Sequence, residues 1–414
     1  MLPGFGDAHM HFAVSVRRFG VADVSRAVTD YDHETVADGM PDSYIQEPVL
    51  IGPVCRSIPG YAYTDAQHHD AFLKAQKFFH SQGFTLLSDC MEEPQEYGVI
   101  RKMAKNGELK IRLHGVYGFN DETREEDLKT ALGKMGQYDV DDIFTVNTAK
   151  YFADGDFAML RPYEASYCRE KGLPEGTGTI DKMLWDVEHL RDSMEKAQKA
   201  GLNIHVHSFG DLSTRLTIDC MIHAQKNDPE HKCRNIIAHC AFVNDEDKKR
   251  MAENGIIASI QPQWQCENAK NNPSMLKQLG KERFYGIYPN KSLLDAGVIC
   301  AYGSDFTVNY PLPLEGVFSA MTRKEPKTSD LYETFKNEPA LSPEECVTLK
   351  DTIKGWTIAP AYQFHREDIT GSIKAGKSAE LILLDGDIEK MKPEDICLLK
   401  VKETVFKGLS VYKA

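Results

Sequence analysis

Asp7-Ala8-His9-Met10-His11 follows Pro3-Gly4-Phe5-Gly6, and the two together read as a short strand whose carboxyl end carries two histidines. Side chains alternate along a strand, so His9 and His11 point to the same side. Two imidazoles at that spacing can serve one cation, and imidazole suits zinc and related borderline metals. Taken alone, the pair reads more readily as two polar residues at a strand mouth.

The rest of the chain repeats the pattern. Candidate strands occupy residues 3–8, 84–88, 110–115, 144–151, 203–207, 235–238, 256–260 and 298–303. Helical periodicity lies between most of them. Residues 65–80 space Phe72, Ala75 and Phe79 for one helix face, and residues 181–200 do the same with Leu184, Val187, Met194 and Ala197. Repeated strand-then-helix units call for a parallel sheet covered by helices. Eight of them suit a closed barrel, and no glycine-rich dinucleotide fingerprint follows an early strand. Ser342, Pro343 and Glu345 are spaced to start the barrel's last helix.

Beyond Pro360 the texture changes. A turn cluster, Gly371-Ser372-Ile373-Lys374-Ala375-Gly376-Lys377, precedes short strand candidates at 379–384, 401–406 and 409–412. The expected architecture is α/β: a (β/α)8 TIM-type barrel over residues 1–365 and a small C-terminal β-rich domain, a partial β-sandwich, over 366–414. Residues 13–63, with prolines at 41, 48, 53 and 59, read as a long loop after the first strand. Such loops serve barrels as lids or binding loops.

In an α/β barrel the carboxyl ends of all strands share one face. Five strand ends here deliver chemistry to it: His9 and His11, Lys150, His205 and His207, His239, and Asp305. His205 and His207 share a strand face. His207 is nearer the strand end, so it is the expected ligand, with His205 behind it. His114, which ends the third strand candidate, and Gln263, Trp264 and Phe306 near later strand ends are expected substrate contacts. Asp211 has two readings, orienting a ligand histidine or capping the next helix. Cys90 is expected to be an inert buried thiol. His68-His69 and Glu92-Glu93 read as solvated.

Composition narrows the function. The 414 residues carry a net charge of −13 with no basic block, which argues against nucleic acid and anionic membrane as partners. Ten scattered cysteines form no C-x-x-C pair, which fits reduced thiols in the cytoplasm. No secretory leader precedes the first strand, and no apolar run reaches the roughly 18 residues of a membrane helix. The expected partners are a small-molecule substrate and, for assembly, a second copy of the chain.

The ordered set of motifs resembles the amidohydrolase superfamily, and within it the YtcJ-like branch. The matching stretches are the run from Pro3 to His11, Lys150 through Asp154-Gly155, His205-Val206-His207-Ser208-Phe209-Gly210-Asp211, Ala238-His239-Cys240, Ile260-Gln261-Pro262 and Gly303-Ser304-Asp305-Phe306. Residues 371–384 resemble the family's return into its β-sandwich. The resemblance implies a metal-dependent hydrolase with one or two divalent ions, zinc by preference. It implies metal ligation by His9, His11, His207, His239 and Asp305. Lys150 would be the lysine that is carboxylated in binuclear members; its own alternative is a plain cation beside Asp154 or the substrate. Asp305 would also be the general base for a metal-activated water that cleaves a non-peptide carbon–nitrogen bond, in an amide or N-acyl compound. The alternatives are a deaminase or cyclic-amide hydrolase, a metal-dependent isomerase or lyase, and a truncated inactive barrel. Deaminases of the superfamily place a glutamate where Gly210 and Asp211 stand, which favours amide cleavage.

Two departures from the family stand out. The segment that usually forms half of the β-sandwich ahead of the first barrel strand is missing, which points to a truncated chain, a shortened variant or a sandwich completed in another way. The region between the first and second strands is short, so the family's substrate specificity does not carry over.

Overall fold

The computed structural model describes residues 1–13, 63–91, 94–155, 157–266, 273–306 and 308–414. The loop expected over 13–63 lies almost entirely outside the described residues, as do Glu92 and Glu93.

Twelve strands are present among the described residues: β1 (Leu2–Pro3), β2 (Phe5–Asp7), β3 (Phe84–Ser88), β4 (Arg112–Gly118), β5 (Phe144–Phe152), β6 (Asn203–Ser208), β7 (Asn235–His239), β8 (Ile257–Ile260), β9 (Cys300–Tyr302), β10 (Leu381–Leu384), β11 (Val401–Phe406) and β12 (Leu409–Lys413). Strands β2 to β9 make one parallel sheet in strict sequence order. The last strand returns to the first. The Ala8 N–H donates to the Tyr302 carbonyl at 2.9 Å, and the Asp305 N–H to the His9 carbonyl at 2.8 Å. Gly303 lets this seam close, because a Cβ there would sit 2.6 Å from the His9 nitrogen. The sheet is thus the expected eight-stranded barrel, wrapped by helices.

Helix Asp65–Ser81 shows why the wrapping holds. Thr64 and Gln67 form a capping box at its start, and His68, Ala71, Phe72, Ala75 and Phe79 make its buried stripe. His68 was expected in solvent. It is fully buried, with Nε2 3.5 Å from Glu96 Oε1, because it lies four residues before Phe72 on the same face. His69, one position round the helix, is a third exposed and pairs with Glu108.

Two helix starts differ from expectation. The run 181–200 splits into a 3-10 turn, Ile180–Lys182, and a helix, Val187–Lys199, capped by Asp186, which accepts from the amides of Glu188 and His189. Ser342 and Pro343 open only a 3-10 turn, Pro343–Glu345, and the Ser342 side chain makes no cap bond to it. The Ser342 φ is 49°, and its hydroxyl donates to the Tyr285 carbonyl. Glu345 caps a neighbouring helix instead, accepting from the Ser292 N–H at 2.9 Å. The helix begins later, at Leu349–Gly355, under Thr348.

Helices Leu349–Gly355 and Ile358–Gln363 pack against the first and last barrel strands. The Trp356 carbonyl accepts from the Gly6 N–H at 2.7 Å, and Gln363 Nε2 donates to the Ala8 carbonyl at 2.8 Å.

The tail strands form an antiparallel sheet, β1-β10-β11-β12. Its first strand comes from the beginning of the chain: Leu2 pairs with Ile382 and Pro3 with Leu381. A buried ion pair joins this sheet to the barrel, Arg112 Nη2 to Glu380 Oε1 at 2.6 Å. The Thr404 hydroxyl adds a bond to the His80 carbonyl at 2.6 Å. No helix among the described residues is long and apolar enough to cross a membrane.

Candidate metal centre

Burial is the first fact about the site. His9, His11, Lys150, His205, His207, His239 and Asp305 are all less than a tenth exposed. Interiors rarely hold so many polar groups without a shared purpose.

The groups converge at the strand ends. The His9 ring centroid lies 5.7 Å from that of His11 and 4.9 Å from that of His239, and His207 lies 4.4 Å from His239. Asp305 Oδ1 is 3.0 Å from His11 Nε2 and 3.6 Å from His9 Nε2. One donor atom each from His9, His239 and Asp305 lie within 4.8 Å of one another. Lys150 belongs to the same neighbourhood, with Nζ 4.5 Å from the centre of the Phe152 ring. In the strand register Lys150 stands opposite His205, and Phe152 opposite His207.

Electrostatics favour the neutral form at four of the imidazoles. Burial, followed by the Lys150 charge, holds His9 and His205 well below the usual imidazole range. Burial and His239 do the same for His207. Burial brings His239 down to about 4. Neutral imidazole is the form that binds a metal. At Asp305 burial works upward, but the hydrogen bond and charge of His11, with His239 and Lys150, outweigh it and leave the carboxyl below its ordinary value.

Three further residues organise the site, of which only Asp154 was anticipated there, as a neighbour for Lys150. Gln261 Oε1 accepts from His239 Nδ1 at 2.8 Å, which leaves His239 Nε2 as the nitrogen with a lone pair. Asp7 accepts from the His9 amide at 3.1 Å and from the Ser304 hydroxyl at 2.6 Å, so it ties the first strand end to the eighth. Burial pushes the Asp7 carboxyl up to about 7. Asp154 accepts from the amides of Ala158, Phe209 and Gly210 and from the Ser213 hydroxyl at 2.6 Å, and it lies 3.6 Å from His207 Nε2. It fixes the turn that follows the fifth barrel strand with its histidines. Both aspartates stood inside quoted motifs, and their short spacing to His9 and Lys150 was the available signal.

Other anticipated residues fall in different places. His114 does not end its strand, because β4 runs on to Gly118. Its ring nitrogens meet Thr148 Oγ1 at 2.8 Å and Thr145 Oγ1 at 3.2 Å, and the ring stacks on Phe364 at 4.5 Å. That environment belongs to the packed barrel interior. Trp264 lies against the His239 ring, and Gln263 reaches Glu315 Oε2 at 3.4 Å. Phe306 packs among Phe79 and Tyr310, and its carbonyl accepts from the His11 N–H at 2.7 Å. Asp211 neither caps nor orients a histidine: it is the first residue of helix Asp211–Asn227 and accepts from the Leu160 N–H at 2.7 Å. Cys90 is fully buried, and burial pushes its thiol up to about 12, so it is inert.

A parallel eight-stranded barrel whose strand ends gather neutral histidines and a carboxylate defines a metal-binding hydrolase of the barrel type. The sequence matches the amidohydrolase family over residues 32–412, and the chain belongs to that family, whose members are metal-dependent hydrolases of carbon–nitrogen bonds. It is 26% identical to YtcJ of Bacillus subtilis (strain 168) over 415 aligned positions, covering 97% of this chain and 72% of that one. It is also 26% identical to the N-substituted formamide deformylase of Arthrobacter pascens, over 54% of this chain and 39% of the relative. An uncharacterized metal-dependent hydrolase from Pyrococcus horikoshii OT3 shares the fold, with a TM-score of 0.70 at 17% identity, over 94% of this chain and 87% of that one.

Proposed function

We propose that the protein hydrolyses the amide bond of an N-acyl or N-substituted amide, with one or two zinc ions held by His9, His11, His207, His239 and Asp305. The observation that carries this reading is the buried set of His9, His239 and Asp305 donor atoms within 4.8 Å of one another. The donor chemistry fits: imidazole nitrogens and one carboxylate are zinc's ordinary ligands. His11 Nδ1 adds a buried nitrogen that has no hydrogen-bond partner among the described residues. When bound, a divalent cation acidifies a water molecule and polarises the scissile carbonyl.

The chain's own residues supply the rest. Asp305, kept ionised by His11, takes the proton of the attacking water and passes it to the leaving nitrogen. Lys150 serves as the second ligand locus if carboxylated, since a free ammonium has no lone pair to give. Trp264, stacked on His239, is the side chain set to meet a substrate beside that ligand. The similarity to a formamide deformylase supports an N-acyl substrate. A deaminase is less well served, because the Asp211 carboxylate is committed to the Leu160 amide.

Metal analysis of the purified chain tests the centre, and two equivalents per chain support the Lys150 locus. Asp305→Asn should abolish amide hydrolysis while much of the metal stays bound. Near-normal turnover in that variant removes Asp305 from the mechanism.

A further inference from the structure

Three buried side chains stand in line beside the cluster: His9, His205 and Cys90. His205 Nε2 lies 2.9 Å from His9 Nδ1, and His205 Nδ1 lies 4.0 Å from Cys90 Sγ. His205 is 1% exposed and Cys90 not at all, so water does not compete for these contacts.

Two imidazole nitrogens 2.9 Å apart must share one proton. Two lone pairs would repel, and so would two N–H groups. The direction follows from the other side of His9. Its Nε2 faces Asp305 at 3.6 Å and must keep its lone pair there to bind a cation. The His9 proton is therefore on Nδ1, and His205 Nε2 accepts it. His205 then carries its own proton on Nδ1, the nitrogen that faces Cys90 Sγ. His239 obeys the same logic, with Gln261 Oε1 accepting from its Nδ1 at 2.8 Å. Metal-binding histidines commonly have the second nitrogen fixed in this way, usually by a carboxylate or carbonyl.

We propose that His205 is a positioning residue: it accepts the Nδ1 proton of His9 and so fixes the tautomer and ring angle that turn His9 Nε2 toward the metal, with Cys90 Sγ receiving the His205 proton behind it. The inference rests on the metal-centre reading above. The competing use of the same atoms is direct: His9, Cys90 and His205 donor atoms also lie within 4.8 Å of one another and could themselves hold a soft cation. The hydrogen-bond line is preferred because the 2.9 Å contact already occupies the facing nitrogens of both rings.

The test uses the whole 414-residue chain with zinc as the probe. Zinc affinity is measured by chelator competition, zinc content by elemental analysis, and ligand geometry by the visible absorption of the cobalt(II)-substituted protein. His205→Leu removes the acceptor and should weaken zinc about 10- to 100-fold, with the melting temperature of the metal-free protein near that of wild type. His205→Gln restores a carbonyl acceptor and should return affinity to within a few-fold, with cobalt bands like those of wild type. Cys90→Ala should keep the zinc stoichiometry. Wild-type affinity in His205→Leu overturns the inference. So does an equal loss in the leucine and glutamine variants, which would mean packing alone, or the loss of one zinc per chain in Cys90→Ala, which would make the thiol a ligand. Should His205→Leu not fold, the cobalt spectrum of His205→Gln decides: wild-type bands support the role, and altered bands overturn it. His239→Ala separates the two readings. If it binds zinc as wild type does, the metal centre itself is misplaced. If it loses zinc while His205→Leu does not, only the positioning role fails.

Discussion

The indole of Trp264 lies flat on the imidazole of His239, with ring centroids 5.2 Å apart and planes within 11°. Trp264 thus presses on one face of a candidate ligand whose Nδ1 is held at its edge by Gln261. Such ring contacts contribute about 0.5–1.5 kcal/mol beyond area burial. Trp264→Leu should speed chelator-driven metal loss roughly 2- to 12-fold, the same energy as a rate ratio, and Trp264→Phe should recover most of it. Stopped-flow release of zinc to a coloured chelator reads this directly. An unchanged release rate with a raised KM would confine Trp264 to substrate contact.

Arg112 and Glu380 join barrel to tail where both side chains are essentially unexposed. Breaking a buried pair strands a charge and costs roughly 3–5 kcal/mol. Asp142 also contacts Arg112 and softens that cost. Glu380→Gln should therefore lower stability by about 3 kcal/mol, and the double variant Arg112→Met/Glu380→Leu should recover part of it. Urea unfolding curves of wild type and the two variants would show the pattern; a double variant no more stable than Glu380→Gln would contradict it.

His80 gives the fold an acid-sensitive joint away from the metal centre. Burial lowers its pKa to about 4, with the hydrogen bond to the Lys110 carbonyl working the other way. A histidine depressed in the fold is neutral there and charged in the unfolded chain below about 6.5. Its contribution is whole above pH 6.5 and is lost as pH falls toward 4, by roughly 3 kcal/mol in all. His80→Gln should flatten the stability profile across that window. A profile as steep as that of wild type would assign the acid loss to other groups.

Gly303 sits where β9 meets the first strand, with the His9 backbone too close for any Cβ. Gly303→Ala must push that backbone aside, a cost on the order of 2–3 kcal/mol. Because His9 and Asp305 flank the contact, metal affinity should fall together with the melting temperature. Calorimetry of the metal-free and zinc-loaded variant separates the two losses, and a normal zinc-induced rise in melting temperature would show the seam to be more pliant than the spacing implies.

The barrel was legible because its signal is coarse. Each strand is a short apolar run, each helix a longer amphipathic one, and strand order followed chain order. The residues delivered to the strand ends were legible for the same reason, since His9, His239 and Asp305 all stand just past apolar runs. What stayed hidden depends on pairings distant in sequence. Nothing local says that Gln261 holds His239, that Asp7 reaches Ser304, or that the Ser342 hydroxyl turns to Tyr285. His68 was misread for a different reason: its polarity outweighed a spacing that already placed it with Phe72 and Phe79.

The antiparallel pairing of Leu2–Pro3 with Leu381–Ile382 has a consequence for synthesis on the ribosome. The strand ahead of His9 pairs with β3 on one flank, but its other flank is closed by Tyr302 and Asp305, and Leu2–Pro3 just before it waits for Leu381–Ile382. Closing so long a loop is slow and costs entropy before contacts return it. Until those distant segments emerge, the nascent polypeptide holds its histidines on an unclosed sheet, so capture of a metal should follow their synthesis.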